Sequence, residues 1–411
     1  MRKTGAGLPA EFWRLWWAGT VNNIGDGAWR AAIPLLAAEL TRDPRMVAAV
    51  SVATYLPLLV FSIPAGFLVD RFSRTTLMSV AQVGQLSLVV LLGLLTAVHV
   101  ATVPTLCVIS FLVGCADTIV NNAEQAIVPQ FVEPDRLIAA NARQQISQTV
   151  SNYLIGPPFG SLLFAIAIGL PFGFDGLTFA VSAVLLFSLP RTAVGRTGGT
   201  RLSWESITVG VRWLVRQRLL RVLAFLIGLN NFCNLLAQAT LVLLAVEHFG
   251  MSERSYGLLL GAMAIGGVVG GMLNSRLSER FGWLPSMLFA LAVNAASYLA
   301  VGLAPNAVVL AVLMSLSGFA LTLWNVASLS IRQTLIPQDM FGRVNSVFRM
   351  LSWGFMPLGA AVGGFVAHDL GVVAPFPIAG GLRTIGLLIA LPVLLRAHRE
   401  VAEPAAGQPV G

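Results

Sequence analysis

The stretch VNNIGDGAWRAAIPLLAAEL (Val21–Leu40) recurs two hundred residues later as LNNFCNLLAQATLVLLAVEH (Leu229–His248). Both copies set two asparagines a fixed interval ahead of a glutamate: Asn22, Asn23 and Glu39, then Asn230, Asn231 and Glu247. LVDRFSR from Leu68 returns as LSERFGW from Leu277, and the Pro-Phe pair at Pro171 returns at Pro375. Three matches in one order at nearly one spacing predict a chain built from two duplicated halves. In membrane proteins, such repeats are the mark of transporters whose substrate site lies where the repeats meet.

Composition places the halves in a membrane. The 411-residue chain is 56% hydrophobic and 11% charged, against about 25% charged in soluble domains, and its mean hydropathy is +0.80. Apolar runs of about 20 residues match about 30 Å of hydrocarbon. We place twelve spans at about 12–40, 46–68, 75–98, 102–125, 137–168, 170–189, 221–247, 255–277, 283–303, 306–331, 342–367 and 373–395. The fold class is thus an all-α polytopic membrane protein with two pseudo-symmetric six-helix halves. The expected organisation is a first half at 1–190, a basic linker at 191–220, a second half at 221–396 and a tail at 397–411. In the linker, Trp204, Ile207, Val211 and Leu214 stand at helical spacing, the pattern of a helix lying on the inner membrane surface.

With the N-terminus inside, only Arg42, Arg45 and Arg254 of the 26 Lys and Arg residues fall outside, while Arg30 and Arg383 fall within spans. The positive-inside rule therefore puts both termini in the cytoplasm. The net charge of +8 belongs to cytoplasmic loops, and no basic stretch alternates with aromatics as nucleic-acid binding would need. Arg2 and Lys3 lead into the first span without a small-residue cleavage site, so the segment is expected to be retained. Lys3 is the only lysine, which excludes a phosphate-binding loop ending in Gly-Lys-Ser/Thr and so an ATP-driven pump within this chain. Cys107, Cys115 and Cys233 lack metal-ligand or disulfide spacing. No metal, no cofactor and no enzyme constellation is expected.

GFLVDRFSR (Gly66–Arg74) resembles the signature loop of the major facilitator superfamily: Gly66, Leu68, Asp70, Arg71 and Arg74 fit, while Ser73 and Thr75 depart. A degenerate copy, SRLSERFGW, sits at the matching place in the second half. YLIGPPFGS in span five resembles that superfamily's antiporter motif through Gly156, Pro157 and Gly160, with Ser161 replacing the last glycine. The texture of FDGLTFAVSAV, and of LIPQDMFGRVNSVFRM running into span eleven, resembles the subfamily of macrolide, tetracycline-type multidrug and enterobactin exporters.

The resemblance implies a secondary transporter, expelling amphipathic small molecules in exchange for protons by alternating access. It implies a single-chain protein of the bacterial cytoplasmic membrane. Uptake of a nutrient or siderophore is the alternative, and a non-transporting membrane sensor or partner is the alternative of another class. In this fold spans 1, 4, 7 and 10 line the cavity. Polar side chains there need water or one another: Asn22 and Asn23; Asn121 and Asn122; Asn230, Asn231, Asn234 and Gln238; Trp324 and Asn325. Tyr55 and Trp353 offer flat walls to a bulky ligand. The resemblance also assigns Asp70, Arg71, Arg74, Arg343 and Arg349 to a gate at the cytoplasmic rim, with Asp70 against the start of span eleven.

Asp26 is the leading coupling acid, because an ionised group inside a span is costly and marks function. Arg30 stands one turn on and leaves proton carriage, a structural ion pair and substrate contact open; Asp117 is the second acid. Span four carries no basic residue of the kind many drug–proton antiporters use there. Arg383, in the middle of span twelve, either snorkels or pairs with an acid from another span.

Overall fold

The structure is a computed structural model that describes residues 8–133, 136–190 and 204–402. The N-terminal basic residues, linker residues 191–203 and the tail beyond Ala402 lie outside the described residues, as do the side chains of Asp70 and Arg343. The chain divides into two compact units, Met1–Gly198 with Ala245–Gly261, and Gly199–Leu244 with Ala262–Gly411.

The first unit contains α1 (Ala10–Leu40), α2 (Pro44–Val60), α3 (Ser62–Arg71), α4 (Arg74–Ala97) and α5 (Val103–Phe131). It continues with α6 (Leu137–Thr149), a π-helical turn (Val150–Ile155), α7 (Gly156–Ile166) and α8 (Leu170–Phe187). After α9 (Trp204–Arg216) come α10 (Arg218–Gln238), α11 (Leu241–Leu243) and a second π-helical turn (Leu244–His248). The remaining helices are α12 (Glu253–Phe281), α13 (Trp283–Val301), α14 (Ala307–Leu335), α15 (Gln338–Leu370) and α16 (Pro375–Ala402).

Among the described residues nine helices are long and apolar enough to cross a membrane: α4, α5, α8, α10, α12, α13, α14, α16 and the Val347–Leu370 part of α15. The other three expected spans are α1, which carries Asp26 and Arg30 in its middle, and two spans that are broken. Span two breaks at Phe61, because Pro64 has no N–H to give the Val60 carbonyl. Span five is interrupted just before Pro157 and Pro158, whose missing N–H groups are accommodated by a π-turn. Span seven also ends in a turn at Ala239–Thr240 followed by the second π-turn.

The duplication reappears in packing. In the first unit α1 lies on α7 and α8, and α4 on α5 and α8; in the second, α10 lies on α15 and α16, and α13 on α14 and α16. Each unit has its own apolar core. Phe12, Leu15, Met78 and Ile127 sit in one, and Leu223, Trp324, Phe348 and Leu394 in the other. The exterior is equally greasy, with Val184, Met272, Leu303 and Leu388 mostly exposed, as lipid-facing helices require.

Helix α9 packs on α10 and α15 through Gly210, Trp213 and Leu214, while Val211 is exposed. Leu214 contributes to the second unit's core, which ties the end of the linker to the helix bundle. One expectation needs correction, that for Trp324. Expected as a cavity wall, it is 3% exposed and packs inside that core against its apolar neighbours.

Candidate substrate and coupling site

Asn22, Asp26 and Arg30 follow one another at i, i+4 and so share one face of α1. Asn22 Nδ2 donates to Asp26 Oδ2 at 2.9 Å. Arg30 turns elsewhere: its Nε donates to Asn152 Oδ1 at 3.3 Å, and its guanidinium lies 4.9 Å from the Tyr153 ring centre. Asn152 Nδ2 in turn donates to Asn23 Oδ1 at 3.4 Å. No Asp26–Arg30 ion pair is present among the described residues. Asn152 and Tyr153 both belong to the first π-turn, so the prolines that displace that turn also place Arg30's partners.

The antiporter-motif residues hold this arrangement by backbone contact. A Cβ on Gly27 would stand 2.8 Å from Gly156 Cα and 2.9 Å from the Asn152 carbonyl, and one on Gly160 would come closer still to the Ala28 backbone. Glycine alone permits that approach. On its other side Ser161 meets Gly257, and Pro158 meets Gly257 and Gly261, at the start of α12.

Helix α5 brings the second group of polar residues. Asp117 accepts from Gln85 of α4, Asn121 Nδ2 donates to the Asp117 carbonyl at 2.8 Å, and Glu124 Oε1 accepts from Gln144 of α6 at 2.9 Å. A cavity of about 450 Å³ lies among α1, α5 and α6, lined by Trp16, Asn23, Asn121, Glu124, Gln125 and Gln144 among others. A space of about 30 Å³ shares Asn23, Asn121 and Glu124 with it and reaches Asn22, Asp26, Gln82 and Asp117. Asp175 of α8 is fully buried; its Oδ1 lies against Thr178 and the backbone of Gly25.

The charges of Asp117, Asp175, Glu124 and Arg30 all bear on Asp26. Among the described residues, three other carboxyl groups and one cation thus act on Asp26. Also among the described residues, Asn22 Oδ1, Gln82 Oε1, Gln85 Oε1 and Asp175 Oδ2 are buried without a hydrogen-bond partner. Buried acceptors are nearly always paired, and a proton added to a carboxylate turns an acceptor into the missing donor. Among the described residues no three His, Cys, Asp or Glu side chains are grouped as metal ligands.

Sequence reading named Asn22, Asn23, Asp26, Asp117 and Asn121, and the structure brings them to these two adjoining cavities. Asn122 and Tyr55 are half-buried outside them. Glu124, Gln144, Asn152 and Asp175 were missed. The signal for Glu124 and Asp175 was plain, since each is an ionisable residue inside an apolar span.

In the second unit Asn231 Nδ2 donates to Ser352 Oγ at 2.9 Å, and Asn234 Oδ1 accepts from Gln238 at 3.1 Å and from the Tyr298 hydroxyl at 2.9 Å. Asn325 is exposed on α14. Trp353 is covered by Arg349, whose guanidinium lies 4.4 Å from its ring. Of the expected gate residues, Gly66 has open space about it and Arg71 lies beside Phe67. Arg74 is buried and donates to the Ala126 carbonyl at 2.8 Å, tying α4 to α5.

Residues 7–408 match the family profile described as "Transmembrane secretion effector". An uncharacterized MFS-type transporter of Bacillus subtilis (strain 168), YfiS, is 26% identical over 93% of this chain and 92% of its own. The enterobactin exporter EntS of Escherichia coli (strain K12) is 25% identical over 68% of this chain and 67% of its own. Among solved structures, a bacterial homologue of the iron transporter ferroportin in its inward-facing state superposes with a TM-score of 0.74. That match covers 95% of this chain and 99% of the other at 16% identity, and so shares the fold. These relatives are transporters and not enzymes, and the match over nearly the full length settles the family: this multi-pass membrane chain belongs to the transmembrane secretion effectors of the major facilitator superfamily.

Proposed function

We propose that this chain exports amphipathic small molecules from the bacterial cytoplasm across the inner membrane in exchange for protons. The observation that carries the reading is the grouping of Asp117, Asp175, Glu124 and the cation Arg30 about Asp26, with buried acceptors nearby that protonation would satisfy. Asp26 is the central carrier, because it makes no direct ion pair with Arg30 among the described residues and adjoins both Asp117 and the cavity that Glu124 lines. Arg30 holds the π-turn in register. Cargo enters the polar cavity of α1, α5 and α6, and Trp16 supplies its flat wall. Within the second half, Asn230, Asn231, Asn234 and Gln238 are its candidate polar cargo contacts and Trp353 its candidate aromatic one.

The relationship to a protein named as an enterobactin exporter supports outward transport, and the glycine packing of the antiporter motif supports exchange. The two halves, 1–190 and 221–396, rock about the linker as a single-chain transporter with both termini in the cytoplasm. Asp70 and Arg343 belong to the cytoplasmic gate, with Arg71, Arg74 and Arg349 close in sequence to them.

The test uses inverted membrane vesicles holding an internal-pH dye, energised and then given macrolides, tetracyclines, cationic dyes and catecholate siderophores singly. Substrate-triggered proton release in wild type, lost in Asp26→Asn, is the expected result. Release that persists in Asp26→Asn removes Asp26 from the mechanism. Transport that follows sodium and ignores pH overturns proton coupling, and accumulation by right-side-out cells points to uptake.

A further inference from the structure

We propose that Arg383 is an anion-binding residue of the second unit, taking a planar oxyanion of the carboxylate class on the transported molecule. Arg383 stands eight residues inside α16, about 12 Å along the helix from Pro375, and is only 4% exposed. Its Nη2 donates to the Asn230 carbonyl at 3.3 Å. Its Nε and Nη1 are buried without a partner, although a guanidinium carries five N–H donors.

One face of the guanidinium is covered by the Tyr298 ring, 3.9 Å from the ring centre. The Tyr298 hydroxyl is committed to Asn234, so the tyrosine gives Arg383 a π-face and no acceptor. Tyr298 is itself fully buried and lies beside Phe376, which fixes the guanidinium plane.

Among the described residues no carboxylate pairs with Arg383, and the sequence of the second unit's spans agrees. Between Ala262 and Ala402 the acids are Glu279, Asp339, Asp369 and Glu400, each within two residues of a helix end. From Arg218 to Leu244 there is none. An unpaired buried cation is costly, and in a span it marks a ligand or ion path. A planar guanidinium with free N–H groups matches the two oxygens of a carboxylate, which a lysine matches less well. The first unit uses the equivalent pair of helices differently: there α8 presents Asp175 to α1, whereas α16 presents Arg383 to α10. The two repeats thus place opposite charges on matching helices, Asp175 on α8 and Arg383 on α16.

The assignment rests on the transport reading only in naming the anion as part of the cargo, and its test needs no gradient. The purified full-length chain in detergent is titrated with benzoate, and with benzamide as its neutral counterpart, while the unfolding midpoint is recorded. Benzoate is expected to bind wild type about tenfold more tightly than benzamide, as a charge-assisted pair should. Arg383→Gln is expected to remove that preference, and Arg383→Lys, which keeps the charge without the fork, to weaken benzoate alone.

Equal binding of the two probes by wild type overturns the assignment, as does a preference retained in Arg383→Gln. If Arg383→Gln does not fold, Arg383→Lys decides: unchanged benzoate affinity refutes the fork. Export failing in vesicles while this preference stands would discard the transport reading and keep the site.

Discussion

Adding a single methyl group at Gly27 should loosen the contact on which the polar cluster depends. The Cβ of Gly27→Ala would lie 2.8 Å from Gly156 Cα, 2.9 Å from the Asn152 carbonyl and 3.1 Å from the Ser151 carbonyl. All three atoms are backbone, so no side chain can swing aside. Restoring carbon contacts of about 3.5–4.0 Å moves α1 and the π-turn apart by about 1 Å. Overpacking of this kind costs about 1–3 kcal/mol. The Arg30–Asn152 and Asn152–Asn23 bonds, at 3.3 and 3.4 Å, have no slack to absorb that movement and should break. Gly173→Ala on α8 is the matched control, because a Cβ there meets nothing within 4 Å. Relieving a helical glycine should stabilise it by about 0.5–1 kcal/mol. The assay is the unfolding midpoint of the purified chain in detergent, followed by proton release in vesicles. Gly27→Ala is expected to melt lower and lose coupled release, and Gly173→Ala to melt at or above wild type. A Gly27→Ala protein as stable and active as wild type would refute the close packing on which the reasoning stands.

Arg74→Ala should destabilise the first unit by about 1.5–3 kcal/mol, the range for a hydrogen bond to a charged group, since it removes the α4–α5 tie to the Ala126 carbonyl; a melting midpoint equal to wild type would contradict this. Glu247→Gln should shift the same midpoint by less than what about 1 kcal/mol gives, because its pair with Arg42 is 3.3 Å long and largely exposed. Cys233, which is fully buried, should resist a membrane-permeant maleimide in the folded chain, while half-buried Cys107 and Cys115 label faster; mass spectrometry of the labelled chain reads the order. Glu124→Gln should slow coupled proton release without abolishing cargo binding, since Glu124 lines the cavity and bears on Asp26; tracer binding beside the pH-dye signal separates the two.

The architecture was legible in the residues because hydrophobicity and duplication are properties of the chain itself. Apolar runs place the twelve spans, and Val21–Leu40 against Leu229–His248 announces the repeat. The inner breaks were half legible: Pro64, Pro157 and Pro158 are visible, but that Pro157 would be relieved by a π-turn carrying Asn152 and Tyr153 is a matter of local hydrogen bonding. Asp26 announced itself as a charge in a greasy helix.

Its partner did not. Arg30 at i+4 is the obvious neighbour by spacing, yet it reaches across to Asn152, more than a hundred residues away, and Asp26 takes Asn22. Asp175 joins the cluster only because α8 packs on α1, and Glu124 because α5 does. Likewise a charged residue in a span states that something must compensate it, and only the packing of Tyr298 and the Asn230 carbonyl about Arg383 leaves that compensation to a ligand. The sequence by itself determined where the chain crosses the membrane, that it does so as two related halves, and which spans carry charge, because transfer from water to lipid depends on composition along a segment. The tertiary structure alone decided which charges meet, because helices are rigid cylinders whose facing side chains are chosen by how closely their glycines let them approach.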